Sequence, residues 1–106
     1  MVDIAGVGGR TLGTQFTIGG SVNAAMLSFT KAMADVGCKT GVQVSAMHPG
    51  AVRTARLVTR LQTQSKEIGI SAAEGEALMM AGSGITKIGQ PEDVANLVTY
   101  MVCPLD

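Results

Sequence analysis

The sequence predicts an α/β fold in which one long helix crosses between two parallel strands. Three observations carry the prediction. Apolar residues recur at three-and-four spacing from Gly19 to Gly37, a short apolar run precedes them at Val2 to Ala5, and a β-branched run follows at Val42 to Met47. Strand, helix and strand in this order form a βαβ unit, whose crossover lays the helix over one face of the sheet.

The first strand, Val2 to Ala5, is apolar apart from Asp3 and runs into Gly6, Gly8 and Gly9. The helix that follows carries Val22, Ala25, Met26, Phe29, Ala32, Met33 and Val36 on one stripe. Ser21 is its expected N-cap and Gly37 the left-handed residue that ends it. Ordering its backbone costs about 1–2 kcal/mol per residue, so the stripe needs a cover, which the sheet supplies. The second strand, Val42 to Met47, is stopped by Pro49-Gly50. Beyond it, Ala55 to Ile68 reads as a weakly amphipathic helix. Ser71 and Glu74 have capping-box spacing ahead of a helix at Ala72 to Ala81, with Gly69 and Gly82 in the connections. In the last helix Pro91 suits the first position and Glu92 and Asp93 favour its positive end. Val94, Leu97, Val98, Met101 and Val102 form its stripe.

The 106 residues suit one small domain, residues 1–106, and the charges balance to zero with no basic or acidic run. Such a chain carries no electrostatic footprint for nucleic acid or an anionic membrane. Thr11 to Thr30 is uncharged, yet its Gln15, Asn23 and paired glycines are costly in lipid, so no membrane span is expected. Asp3, close behind Met1, replaces the basic region of a secretory signal. Cys38 and Cys103 stand alone, without the spacing of a disulfide framework or zinc site. They read as buried or idle thiols in a reducing, cytoplasmic setting, and no metal ligand set is expected. Met26, Met33, Met79, Met80 and Met101 read as core filler.

The run Gly6-Val7-Gly8-Gly9-Arg10 resembles the start of a dinucleotide-binding GxGxxG turn. Thr11 stands where the third glycine belongs, however, and the expected helix begins about ten residues later than a pyrophosphate-holding turn requires. A plain glycine-rich loop is the reading.

Two later segments fit together. His48-Pro49-Gly50-Ala51-Val52-Arg53-Thr54, followed by Gly89-Gln90-Pro91-Glu92-Asp93-Val94-Ala95, resembles the short-chain dehydrogenase/reductase family. Both occur in that family's order, behind a helix whose Asn23-Ala24-Ala25 and Phe29-Thr30-Lys31 look like its KAAxxxFTK. The resemblance spans nearly the whole chain and corresponds to the C-terminal half of such a protein. It implies a truncated Rossmann-like, doubly wound parallel sheet with two strands and three to four helices, built to take NAD or NADP. Asn23, Pro49, Gly50, Val52 and Thr54 fall on positions that the resemblance makes cofactor contacts. For Pro49-Gly50 a simple chain turn is the alternative, and for Asn23 a helix-surface amide. A general-base role for His48 is set against a polar loop residue.

The family's catalytic serine, tyrosine and lysine fall here on Gly6, Gly19 and Asn23, so no catalytic residue is assigned. A shift of one helical turn brings Phe16, a ring without the hydroxyl, and the sole tyrosine is Tyr100 in the last helix. The resemblance therefore implies an NAD(P)-dependent oxidoreductase portion that does not turn over alone. The alternative is a non-catalytic remnant or interaction module. Bare sheet edges and the long helix point to a homo-oligomer or a complementing chain as partner.

Overall fold

A computed structural model describes residues 1–7, 9 and 17–103. The expected elements are largely present in kind: β1 spans Val2–Ile4, α1 Thr17–Thr40, β2 Ser45–Met47, α2 Ala55–Ile68, α3 Ala72–Ser83 and α4 Pro91–Val102. The fold is mixed α/β, mostly helical, with β1 and β2 paired in parallel, Val2 facing Ser45 and Ile4 facing Met47. Among the described residues no helix is long and apolar enough to cross a membrane. Two compact units divide the chain, Met1–Gly50 with Ala95–Asp106, and Ala51–Val94.

In the first unit, α1 departs from its expected limits at both ends. Ser21 is not the N-cap; it lies inside the helix, its hydroxyl donating to the Thr17 carbonyl at 2.8 Å. Gly37 is not the stop either. The left-handed residue is Gly41 (φ 76°), and the Val42 N–H reaches the Gly37 carbonyl at 3.0 Å, the six-to-one bond of a Schellman motif. Gly37 is needed for a different reason: a Cβ there would overlap the Val42 carbonyl oxygen. Val42 to Val44 consequently belong to the helix exit and its continuation rather than to β2, which is shorter than expected.

The buried face of α1 is also displaced. Val22, Phe29 and Val36 are 58%, 50% and 51% exposed, whereas Gly20, Thr30 and Gly37 are buried. Moving from Phe29 to Thr30, or from Val36 to Gly37, is one residue, about 100° around the helix. The helix approaches the strands through small and hydroxylated residues. Thr30 Oγ1 lies 2.6 Å from Asp3 Oδ2 and 2.7 Å from the Met26 carbonyl, which satisfies a buried hydroxyl that an apolar period cannot reveal. Ala5 and Met47 are the buried apolar residues of this unit. The methionines of the expected core set are half-buried, and both cysteines are exposed free thiols.

In the second unit, Thr54 caps α2 by accepting from the Leu57 N–H at 3.3 Å, and Ser71 caps α3 by accepting from the Glu74 N–H at 3.2 Å. Both helices end on left-handed glycines, Gly69 and Gly84. Gly82, expected in a connection, is inside α3. Leu61 and Ile88 are the buried apolar residues here. At the start of α4, Asp93 Oδ2 accepts from the Gln90 N–H at 2.8 Å, the reach-back half of a capping box. Its expected stripe is only partly covered. Val94 is half-buried; of the stripe residues that belong to the first unit, Val98 and Met101 are half-buried, while Leu97 and Val102 are exposed.

Candidate functional site

In an open parallel sheet ligands gather at the carboxyl ends of the strands, and the first unit has a defined polar arrangement there. Parallel pairing continues past β1 as the Ala5 N–H donates to the Met47 carbonyl at 3.0 Å and the Val7 N–H to the Pro49 carbonyl at 3.2 Å. Between these bonds, one peptide unit is gripped by two side chains. The Gly6 N–H donates to Asn23 Oδ1 at 2.9 Å, and His48 Nδ1 lies 3.0 Å from the Ala5 carbonyl. A carbonyl only accepts, so Nδ1 carries the hydrogen of this bond. Asn23 thus spends its carbonyl oxygen on the backbone and offers its NH₂ group as a donor.

Of the expected cofactor contacts, Asn23, Pro49 and Gly50 belong to this unit. Pro49 is half-buried with its carbonyl engaged by Val7. Gly50 is exposed, and a Cβ built on it meets nothing within 4 Å. Val52 and Thr54 belong to the other unit. Val52 forms a parallel bridge with Gly89; the Arg53 N–H donates to the Gly89 carbonyl at 2.8 Å and the Gly89 N–H to the Ala51 carbonyl at 3.0 Å. Thr54 is exposed and occupied as the cap of α2, yet its hydroxyl keeps a proton to donate.

Sequence reasoning missed Arg53 as a structural residue. Its guanidinium meets the Glu76 carboxylate in a two-pronged pairing, Nη1 to Oε2 at 3.0 Å and Nη2 to Oε1 at 2.6 Å, joining the 51–54 segment to α3. The hydrogen bond from Arg53 is the main cause that holds the Glu76 carboxyl below its ordinary value; desolvation opposes it and the Arg53 charge adds to it. The same bond, with the carboxylate charge, raises Arg53 further. The 23-residue separation gives this pair no local sequence signature.

Of the positions aligned with the family's proton relay, Gly6 and Asn23 are in contact. A Cβ on Gly6 would stand 3.2 Å from Asn23 Nδ2. Gly19 lies half-buried in the first turn of α1. Tyr100 is 71% exposed on α4. Gly8, Thr11 and Phe16 lie outside the described residues.

In the first unit, Gly50 is open to close backbone approach and the Asn23 amide offers a neutral donor; in the second unit, the Thr54 hydroxyl offers another. None of the five candidate residues is cationic, so none can neutralise a pyrophosphate. The chain matches no protein-family model and no curated protein sequence.

Proposed function

We propose that the chain is the C-terminal part of an NAD(P)-dependent oxidoreductase of the short-chain dehydrogenase/reductase type, with a doubly wound sheet completed by other strands and a cytoplasmic setting. The observation that supports this most is the main-chain pairing of Ala51–Arg53 with Gly89. It links the PGxVxT segment to the GQPEDVA segment, the two stretches on which the resemblance rests. Asn23, Pro49, Gly50, Val52 and Thr54 are the cofactor-contacting residues in this reading.

When bound, the cofactor supplies or accepts a hydride. The chain's own contribution to carbonyl chemistry is then a proton at the substrate oxygen, and the relay positions do not provide it. Gly6 and Gly19 have no side chains, and the Asn23 amide does not titrate and is tied to Gly6. General acid–base assistance is worth about 10²–10⁴ in rate, so this part binds more capably than it turns over.

The test is to complement the chain with the N-terminal half of a related reductase. Binding of reduced cofactor is followed by fluorescence, and turnover by absorbance loss with ketones and aldehydes. Binding with very poor turnover is expected. No binding overturns the cofactor reading, and brisk turnover overturns the absence of a relay. The second reading, an interaction module, is favoured by one specific observation: Ile18, Val22, Phe29 and Val36 of α1 are exposed.

A further inference from the structure

We propose that His48 is the proton-exchanging group of this chain, its Nδ1 fixed on the Ala5 carbonyl and its Nε2 giving a proton to, or taking one from, the oxygen of a carbonyl or alcohol substrate. The proposal rests on the oxidoreductase reading above and adds the step that the relay positions leave without a group.

The main chain explains why the ring is held. Extending the register that faces Ile4 with Met47 by one residue sets Ala5 beside His48, and the Ala5 N–H donates to the Met47 carbonyl at 3.0 Å. In a parallel ladder the return bond to the Ala5 carbonyl comes from the amide of residue 49. That residue is Pro49, which has no N–H. Ala5 is fully buried, so its carbonyl cannot turn to water instead. His48 Nδ1, 3.0 Å away, takes the place of the missing donor.

A ring whose Nδ1–H is committed to a carbonyl keeps that hydrogen in both charge states, so Nε2 alone gains and loses a proton. Imidazole changes charge between about pH 5 and 8, which neither an amide nor a glycine can do. The ring stands at the carboxyl ends of β1 and β2, where ligands of parallel sheets gather, and His48 is half-buried rather than enclosed. As the substrate's carbonyl carbon accepts hydride from the reduced nicotinamide, its C=O π pair moves onto oxygen, and the Nε2–H bond breaks to form the new O–H bond. The neutral ring then recovers a proton from solvent. The elements packed against it carry few ionisable groups. On β1, Asp3 accepts from the Thr30 hydroxyl at 2.6 Å; β2 has none, and α1 has none from Thr17 to Thr30. Arg10 lies outside the described residues.

His48→Asn separates holding from exchange, because the asparagine amide can still donate to Ala5 but does not titrate. In the chain complemented with the N-terminal half of a related reductase, this change should leave binding of reduced cofactor intact and lower the slow carbonyl reduction by about 10²-fold. Reduction by the native sequence should slow as pH rises through the imidazole range, and the variant should lose that limb. On the full chain alone, long-range nitrogen-15 NMR of its single histidine should show Nδ1 protonated at every pH and only Nε2 titrating. A ring bare at Nδ1 and protonated at Nε2 overturns the proposal. So does a native sequence that binds cofactor without any reduction, or turnover that His48→Asn leaves unchanged with its pH limb intact. Absence of cofactor binding overturns the oxidoreductase reading and this step with it, whereas binding with turnover independent of His48 overturns this step alone. If His48→Asn does not fold, the NMR titration and the native pH profile decide.

Discussion

The Gly6 N–H donates to Asn23 Oδ1 at 2.9 Å, so a strand end and the inward side of α1 are held together by one side-chain amide. These are also the positions that the family resemblance equates with a catalytic serine and lysine. Their contact changes what placing a serine and a lysine there would involve.

An ammonium cannot accept a hydrogen bond. Asn23→Lys therefore leaves the part-buried Gly6 amide without its acceptor, and we expect a loss of about 1–3 kcal/mol, read as a lowered melting temperature. Adding Gly6→Ser should not recover it, because the new Cβ comes within 3.2 Å of the position 23 side chain. Unchanged melting of Asn23→Lys would mean that water replaces the bond.

Gly37→Ala should destabilise α1 even though alanine is the better helix former by about 1 kcal/mol. The added methyl overlaps the Val42 carbonyl oxygen, a backbone atom held by the turn at Gly41. Forcing this close approach apart costs about 1–3 kcal/mol, and amide exchange at Gly41 and Val42 should accelerate. A raised melting temperature would show that the helix exit can move freely.

Phe29→Ala should cost only about 1 kcal/mol in dilute solution, since half of the ring's surface is already exposed. A core phenylalanine would cost about 3–5 kcal/mol. Thermal melting in dilute solution separates the two.

The βαβ order, the parallel strands, the Ser71 cap, Pro91 and the existence of all four described helices were legible from local patterns of three to seven residues. The buried face of α1 was not. An apolar period finds large hydrophobic residues, and α1 leaves Val22, Phe29 and Val36 of these exposed while burying Gly20, Thr30 and Gly37. Nor could the sequence choose between Gly37 and Gly41 as the helix end, because both suit a left-handed turn and only the approach of Val42 decides. At the candidate site, Thr54 was singled out only through the resemblance of its segment, and its capping role is geometric. The Arg53–Glu76 pair and the His48 bond to Ala5 depend on folding that brings distant residues together.

The Arg53–Glu76 pair gives stability a pH dependence. Because the folded-state pKa of Glu76 is lowered, its contribution is fully present above the unfolded glutamate value of about 4.3. It is lost as pH falls through the lower folded value. Melting temperature measured from neutrality down through this range should fall more steeply for the native chain than for Glu76→Gln, which keeps the side-chain shape without the charge. Parallel curves would show that the pair contributes nothing to folding.

The crossing of α2 and α3 allows the sharpest test of packing in the second unit. Ser65 is 2% exposed and its Oγ has no hydrogen-bond partner, an arrangement that costs free energy unless the crossing compensates. Gly75 lies against it, and a Cβ at position 75 would overlap Ser65 Oγ while standing 3.1 Å from Ser65 Cβ. Ser65→Ala removes the unpaired hydroxyl and should be neutral or stabilising. Gly75→Ala alone should destabilise by about 1–3 kcal/mol through overpacking. In the Ser65→Ala background the same change meets only the methyl, so its cost should shrink, leaving a coupling of about 0.5–3 kcal/mol between the two sites. Denaturant unfolding of the four chains measures that coupling directly. Additive effects would mean that α2 and α3 separate to admit the new methyl rather than being held in close contact at this point.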